Sequence, residues 1–217
     1  MPRTPAKKVR AVDILLDILR DEGATTIFGN PGSTEMPLMD ALVDAPDFRY
    51  VLGLQEATAV AMADGYALKT GRPAFVNLHA AGGLGNAMGV LVASKASETP
   101  LVVTAGQQDT RHLFSDPWLA GDLVALARPV TKWATEVRRG ADVGMALRRA
   151  FAIAATPPQG PVFLSLPMDV LDQEVEARIP AKSRLAARAP SPGAGDLAAR
   201  LAACDPSRVA VLIGDDV

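Results

Sequence analysis

The sequence predicts an α/β fold with a six-stranded, mostly parallel sheet and helices on both of its faces. Short apolar runs recur along the chain and alternate with longer segments whose apolar residues follow helical spacing. The short runs contain few alternating polar residues, which is typical of strands that are covered on both faces. Because a helix between two strands allows them to run in parallel, this alternation favours a parallel sheet.

The first half of the chain contains four predicted strands and four predicted helices. Gly23 and Gly71 follow two of the helical patterns and are typical helix stops. A turn at 29–32 precedes the second helix, for which Ser33 or Thr34 is the candidate N-cap. The elements are a helix at 9–21, a strand at 25–28, a helix ending at 43, a strand at 50–54, a helix at 56–70, a strand at 73–79, a helix at 83–96 and a strand at 100–106.

The second half supplies the last two strands of the sheet. It opens with a polar, irregular segment at 107–121. The elements that follow are a short helix at 123–126, a strand at 130–135, a helix at 141–155 and a strand at 161–166. These two strands complete the predicted sheet.

Domain organisation follows from a change in composition after the last strand. We assign residues 1–176 to one domain. Residues 177–195 are dense in Ala, Pro and Arg, which indicates an exposed linker. Residues 196–217 have a helical pattern at 196–203 and a strand pattern at 208–213, and we interpret them as the truncated start of a second α/β domain. Since so short a segment cannot bury a core, we expect the chain to be a fragment of a longer protein.

Composition excludes several classes of protein. Hydrophobic residues make up 49% and charged residues 21%, which indicates a folded chain. The 22 basic and 24 acidic residues give a formal charge of −2, so no basic excess indicates nucleic-acid binding. Cys204 is the only cysteine, which excludes a disulfide within the chain. The one cysteine and two histidines have no metal-ligand spacing, so no metal site is predicted.

One uncharged stretch, residues 73–94, is long enough to span a bilayer. It contains Asn77, His79 and several glycines, and we interpret it as a buried strand, a Gly-rich turn and a buried helix. The N-terminal segment carries charges where a signal peptide needs an apolar run. We therefore expect a cytoplasmic protein without a membrane partner.

The first group of candidate site residues lies in the turn after the strand at 25–28. Open α/β sheets bind ligands at the carboxyl ends of their strands. Asn30, Pro31 and Gly32 form the turn, and Ser33 follows at a helix N-terminus, where N–H groups favour an anion. The alternative is an ordinary turn with a capping serine.

Glu56 follows the predicted strand at 50–54, and His79 ends the predicted strand at 73–79. Glu56 lies among small and apolar residues, where a desolvated carboxylate suits proton transfer. The alternative is a surface glutamate that the helix dipole stabilises. His79 lies beside a Gly-rich turn and is placed for acid–base work, or is a hydrogen-bonded structural histidine. His112 is interpreted as a loop residue.

Several short motifs follow one another in a characteristic order. They are FGNPGS at 28–33, LQEA at 54–57, DGYA at 64–67, NLH at 77–79, GNAMG at 85–89, TAGQQ at 104–108, PVTKW at 129–133 and GPVFLSLP at 160–167. Their order resembles the N-terminal, pyrimidine-binding domain of the thiamine diphosphate-dependent 2-oxo-acid decarboxylases, and within them the benzoylformate decarboxylase branch. The resemblance covers roughly residues 9–176.

The resemblance implies a reaction and its cofactors. The expected activity is non-oxidative decarboxylation of an aromatic 2-oxo acid to an aldehyde and CO2, with thiamine diphosphate and Mg²⁺ as cofactors. In the family, the glutamate matching Glu56 hydrogen-bonds the aminopyrimidine of the cofactor and promotes formation of its nucleophilic carbon. The serine matching Ser33 contacts the substrate carboxylate, and the histidine matching His79 relays protons.

Further site residues are implied by position in the family pattern. Asn30, Pro31 and Gly32 shape the cofactor loop, and Asn86 belongs to the same expected cofactor site. Trp118 and Leu119 fall where the family lines its substrate pocket, in the segment that matches the family pattern least.

One departure from the family pattern limits the expected activity. Family members hold Mg²⁺ and diphosphate with a Gly-Asp-Gly sequence and an asparagine in a third domain, and no Gly-Asp-Gly occurs in this chain. The chain is therefore expected to supply half of an active site that forms between subunits of a homodimer or homotetramer, and to be inactive alone.

Two alternatives stay open. One is an acetolactate synthase-like carboligase, although such enzymes typically lack the histidine matching His79. Pyruvate decarboxylases carry two adjacent histidines there and are also less favoured. The other alternative is a non-catalytic domain that needs a separate diphosphate-binding partner.

Overall fold

The computed structural model describes residues 8–182 and 194–210. Its strands are β1 (Lys8–Arg10), β2 (Thr26–Gly29), β3 (Arg49–Leu52), β4 (Ala74–Leu78), β5 (Leu101–Gln107), β6 (Ala134–Glu136), β7 (Val162–Pro167) and β8 (Glu174–Glu176). Its helices are α1 (Ala11–Glu22), α2 (Met36–Val43), α3 (Glu56–Thr70), α4 (Ala80–Ala96), α5 (Leu123–Ala127), α6 (Val143–Ala155), α7 (Met168–Leu171) and α8 (Ala194–Ala202).

Six strands form the central sheet in the order β3-β2-β4-β5-β7-β6. Every neighbouring pair is parallel, so the predicted fold class is confirmed. Gly29 at the end of β2 pairs with Leu52 of β3 and with Asn77 of β4. The carboxyl ends of these three strands therefore lie at one edge of the sheet, where α/β proteins bind ligands.

Helices cover both faces of the sheet, as predicted. Helices α1, α2, α6 and α7 pack on one face, and α3, α4 and α5 pack on the other. Successive strand residues point to opposite faces, so Phe75 lies in the first core and its neighbour Val76 in the second. The continuous apolar strands are explained by this double coverage.

Helix boundaries agree with the sequence where a clear stop signal exists. Helix α3 spans the predicted residues, and Gly71 adopts the left-handed conformation that ends it. Gly23 ends α1 in the same way. Helix α4 begins at Ala80, three residues before the predicted start, because the Gly83 N–H already donates to the His79 carbonyl at 2.8 Å. Residues 73–94, for which we expected a strand, a turn and a helix, thus form β4 and most of α4, with no separate turn between them.

Three local predictions are wrong. The strand at 130–135 begins only at Ala134, because Arg128–Val130 forms a 3-10 turn around a proline, which lacks an N–H. Neither Ser33 nor Thr34 caps α2, since Ser33–Glu35 is itself a 3-10 turn. The first helix does not start at residue 9, since β1 pairs with β8 in a two-stranded antiparallel ribbon.

The C-terminal region is described in part. Helix α8 overlaps the helix predicted at 196–203. The strand predicted at 208–213 and most of the predicted linker lie outside the described residues. The chain divides into two compact units at residues 183–184; the three-part domain assignment stays a prediction. Among the described helices, none is both long and apolar enough to cross a membrane.

Candidate functional site

The candidate site lies at the carboxyl edge of β3, β2 and β4. Each strand leads into a segment that carries one of the predicted residues: the loop after β2, the first turn of α3 and the first turns of α4. The loop after β2 is tied to the sheet because the Asn30 N–H donates to the Asn77 carbonyl at 3.2 Å. The Gly53 N–H donates to the Gly29 carbonyl at 2.9 Å and ties the start of the next connection to the same edge.

Glu56 is buried at the centre of this edge, with 7% of its surface exposed. Asn30 Nδ2 donates to Glu56 Oε1 at 3.0 Å, and Asn86 Nδ2 donates to Oε2 at 3.0 Å. Helix α4 approaches closely, since a Cβ at Gly83 would lie 3.1 Å from Oε1. The structure therefore brings together three residues that the sequence singled out.

The electrostatic setting of Glu56 is unusual for a buried carboxylate. Its two donors are neutral amides, and no Lys, Arg or His in residues 8–182 or 194–210 forms an ion pair with it. Each carboxylate oxygen has two acceptor positions, so hydrogen-bonding capacity remains on both. A carboxylate fixed in this way can accept an N–H of a ligand, and the surrounding low dielectric strengthens that bond.

His79 lies next to the β2 loop. A Cβ at Gly32 would lie 2.4 Å from His79 Nδ1, so only glycine permits this approach. His79 Nδ1 is 2.9 Å from Glu35 Oε2 and 3.1 Å from Thr34 Oγ1. The side chain is 23% exposed. His79 is thus hydrogen-bonded through one ring nitrogen and still accessible.

Glu35 is a site residue that the sequence reasoning missed. It is 1% exposed, and its carboxylate accepts hydrogen bonds from the Gly32 N–H at 2.8 Å and the Gly106 N–H at 2.9 Å. The Thr34 hydroxyl donates to it at 2.8 Å. A glutamate three residues after Gly32 has capping-box spacing, which could have indicated the first contact. Nothing local indicates the contact with Gly106, which comes from β5.

Ser33 is exposed on the loop beside these groups. Within the described residues its hydroxyl forms no hydrogen bond, so it is available to a ligand. Pro31 is half-buried between Asn30 and Gly32, where its ring fixes the backbone of the loop.

The two candidate pocket residues occupy different positions. The Leu119 carbonyl accepts a hydrogen bond from the Ala81 N–H at 3.3 Å, and Leu119 Cδ2 lies 3.3 Å from where a Cβ of Gly82 would be. Leu119 therefore lies over the first turn of α4, next to His79. Trp118 is 86% exposed, and only its carbonyl is held, by Gln108 Nε2 at 2.8 Å.

No metal centre is present among these side chains. Within residues 8–182 and 194–210, no group of three or more His, Cys, Asp or Glu could hold a metal ion. His112 is exposed in the segment after β5.

Comparison with known proteins identifies the family. Residues 9–119, just over half of the chain, match the family described as thiamine pyrophosphate enzyme, N-terminal TPP binding domain. The matched region contains all of the candidate site residues.

Individual relatives agree with this match. A benzoylformate decarboxylase from Pseudomonas aeruginosa is 49% identical over 174 residues, which cover 79% of this chain and 32% of that protein. The acetolactate synthase large subunit of Haemophilus influenzae is 32% identical over 166 residues, or 76% of this chain and 29% of that protein. The crystal structure of benzoylformate decarboxylase from Polynucleobacter necessarius superposes with a TM-score of 0.80 at 40% identity, covering 89% of this chain and 36% of that one.

These proteins are much longer than the chain. It spans about a third of the length of the relatives it matches. The resemblance found in the motifs is confirmed, and so is the likeness to benzoylformate decarboxylases. The chain belongs to the thiamine pyrophosphate enzymes.

Proposed function

We propose that this chain supplies the pyrimidine-binding half of the active site of a decarboxylase that converts an aromatic 2-oxo acid to an aldehyde and CO2. The observation that carries the proposal is the buried Glu56 carboxylate, which two asparagine amides hold while acceptor positions remain free. The 49% identity to a protein named benzoylformate decarboxylase supports the substrate class.

The residues around Glu56 fit one end of thiamine diphosphate. A carboxylate with free acceptor positions suits the N–H of a protonated ring nitrogen. When bound, the cofactor supplies the nucleophilic carbon and accepts the electron pair released as CO2 leaves. Glu56 holds the proton at the pyrimidine ring, and Asn30 and Asn86 keep the carboxylate oriented.

The charged end of the cofactor needs residues from elsewhere. The described side chains include no cluster that could hold Mg²⁺, and the relatives are about three times as long as the chain. We therefore assign Mg²⁺ and the diphosphate to another domain, contributed by a same-family subunit.

Substrate contacts fall to Ser33, His79 and Leu119. The free Ser33 hydroxyl donates to the substrate carboxylate. His79 moves a proton at Nε2, the ring nitrogen that faces away from Glu35. Leu119, packed on α4 beside His79, offers an apolar contact to the aromatic ring of the substrate.

A second candidate is a carboligase like acetolactate synthase. The 32% identity to the Haemophilus influenzae large subunit favours it. Both reactions begin with the same attack on a 2-oxo acid, followed by loss of CO2. In the decarboxylase the remaining fragment takes up a proton, and in the carboligase it adds to a second 2-oxo acid. A non-catalytic domain that needs a separate diphosphate-binding partner is the third.

The test uses the full-length protein, meaning the longest natural protein that contains this chain. It is incubated with thiamine diphosphate, Mg²⁺ and benzoylformate, and benzaldehyde is measured; pyruvate is offered in parallel and acetolactate is measured. We expect benzaldehyde and little acetolactate. Acetolactate as the main product would establish the carboligase, and neither product would contradict both catalytic proposals.

Ser33→Ala tests the substrate contact. Removal of a hydrogen bond to a charged group costs about 1.5–3 kcal/mol, so we expect KM for benzoylformate to rise about 10- to 100-fold with kcat little changed. Ser97→Ala is the matched control, because Ser97 is exposed at the far end of α4. An unchanged KM in Ser33→Ala would remove Ser33 from substrate binding.

A further inference from the structure

Three donors and one histidine ring nitrogen surround the carboxylate of Glu35. Its Oε1 accepts from the Gly106 N–H at 2.9 Å and from the Thr34 hydroxyl at 2.8 Å, and its Oε2 accepts from the Gly32 N–H at 2.8 Å. The fourth contact is His79 Nδ1, at 2.9 Å from Oε2. Two of these donors are backbone amides, which cannot reverse their role.

Hydrogen bonds to a carboxylate favour its ionised form. An ionised carboxylate can only accept. His79 Nδ1 must then carry a hydrogen, because an unprotonated Nδ1 would place two acceptors against each other at 2.9 Å.

We propose that Glu35 is a positioning residue that fixes the tautomer of His79, with the hydrogen on Nδ1 and Nε2 left as the nitrogen that takes up and releases the working proton. A carboxylate sets a histidine in the same way in hydrolase triads and at metal sites. In the described part of the chain, His79 Nε2 forms no hydrogen bond, and the ring is 23% exposed, so Nε2 is available to a ligand.

The backbone approaches this pair closely at two glycines. A Cβ at Gly106 would lie 2.0 Å from Glu35 Oε1 and 2.3 Å from Thr34 Oγ1. A Cβ at Gly32 would lie 2.4 Å from His79 Nδ1. Both glycines are needed for the backbone to approach the carboxylate and the ring. Glu35 is thus held by the loop after β2 and by the end of β5, and His79 is held by Glu35.

The inference rests on the proposed function only for the use of the proton at Nε2. The position of the hydrogen on the ring is a property of the chain itself. It can be measured without cofactor, substrate or turnover, so a failure of the inference and a failure of the proposed function are distinguishable.

The test is nitrogen NMR of the 217-residue chain labelled with ¹⁵N-histidine. The chain has two histidines, and His112→Gln assigns their signals. At a pH where a free imidazole is neutral, we expect His79 Nδ1 to give the signal of a protonated ring nitrogen. An unprotonated Nδ1 would overturn the inference without any substitution at the site.

Two variants then test whether Glu35 is the cause. Glu35→Met has similar length but no acceptor, and we expect Nδ1 to lose its hydrogen in favour of Nε2. Thr34→Val removes the 3.1 Å hydroxyl contact to Nδ1 and leaves Glu35 in place, so we expect the wild-type tautomer. A protonated Nδ1 in folded Glu35→Met, or its loss in Thr34→Val, would overturn the assignment to Glu35.

Kinetics of the full-length protein add a second readout. Loss of such a supporting carboxylate typically costs about 10- to 100-fold in activity, which we expect in kcat for Glu35→Met. Because Glu35 acts through His79, the same substitution in a His79→Ala background should cost little more. Full additivity of the two losses would contradict the positioning role. If the wild-type protein shows no decarboxylation, the proposed function fails while the tautomer result stands.

Discussion

Two buried glutamates lie at the same edge of the sheet and differ in how their carboxylates are satisfied. Glu35 has four partners within hydrogen-bond distance: two backbone amides, the Thr34 hydroxyl and, as a donor in our proposal, His79 Nδ1. Glu56 has two, both from flexible asparagine side chains. The first carboxylate is closed to ligands, and the second keeps unused acceptor positions.

This difference suits the two carboxylates to different roles, one structural and one in ligand binding. A carboxylate whose acceptor positions are all hydrogen-bonded is held in one orientation. It can then orient a neighbouring side chain, as Glu35 does for His79 in our proposal. A buried carboxylate with free acceptor positions costs folding free energy, and a ligand that donates hydrogen bonds to those positions offsets this cost. Burial alone therefore does not distinguish the two glutamates; the number and type of donors do, and they support our proposal that Glu56 is the one that binds the cofactor.

Glu56→Gln should produce the largest effect on activity. Gln keeps the shape but replaces the acceptor that holds a proton, and loss of such a group lowers turnover by about 10²- to 10⁴-fold. We expect the free energy of unfolding of the chain to change little. The control is Glu174→Gln, at an exposed strand position. Near-normal kcat in Glu56→Gln would remove Glu56 from the chemistry and contradict the comparison.

Glu35→Met should produce the largest effect on stability. It leaves the buried amide of Gly106 and the half-buried amide of Gly32 without an acceptor, and such a loss costs about 1–3 kcal/mol for a fully buried group and less for a half-buried one. We expect the free energy of unfolding in urea to fall by about 2–4 kcal/mol. In Glu56→Met the asparagine amides can turn to solvent, so the loss should be smaller. Equal losses in the two variants would show that the donor sets are equivalent.

Asn86→Ala should weaken the orientation of Glu56. It removes one of two donors to the carboxylate, and because Asn86 is exposed, water replaces part of the bond. We expect kcat/KM of the full-length protein to fall about 10-fold, which corresponds to ~1.4 kcal/mol. Ser97→Ala again serves as the control on α4. An unchanged kcat/KM would mean that Asn30 alone orients Glu56.

A pair of glycine substitutions on α4 should produce the smallest effect. Nothing lies within 4 Å of a Cβ at Gly85, so Gly85→Ala should raise the free energy of unfolding by about 0.5–1 kcal/mol. A Cβ at Gly83 would press on Glu56 Oε1 at 3.1 Å, so Gly83→Ala should gain less or lose stability. Urea unfolding compares them, and equal gains would show that α4 does not constrain Glu56.

The sequence predicts the fold well because the strands and several stops are local signals. Gly71 ends α3 where expected, and the six strands appear in the expected order along the chain. The ribbon of β1 and β8 escapes prediction because two three-residue strands pair across most of the chain. The start of β6 is displaced because a proline-containing 3-10 turn takes up part of an apolar run.

The site is predictable only in part, for a related reason. Glu56 and His79 stand out because each lies at or just after the carboxyl end of a mostly apolar strand segment. Glu35 does not, since half of its hydrogen bonds come from Gly106 and His79, which are distant in sequence. Only the folded sheet brings the ends of β2, β4 and β5 together around this carboxylate.

The most direct measurement is a crystal structure of the full-length protein with thiamine diphosphate and Mg²⁺. We predict a Glu56 carboxylate oxygen about 2.6–3.2 Å from a ring nitrogen of the aminopyrimidine, with Glu35 making no contact with the cofactor. A pyrimidine ring that lies away from Glu56, or that contacts Glu35 instead, would contradict the assignment of roles to the two glutamates.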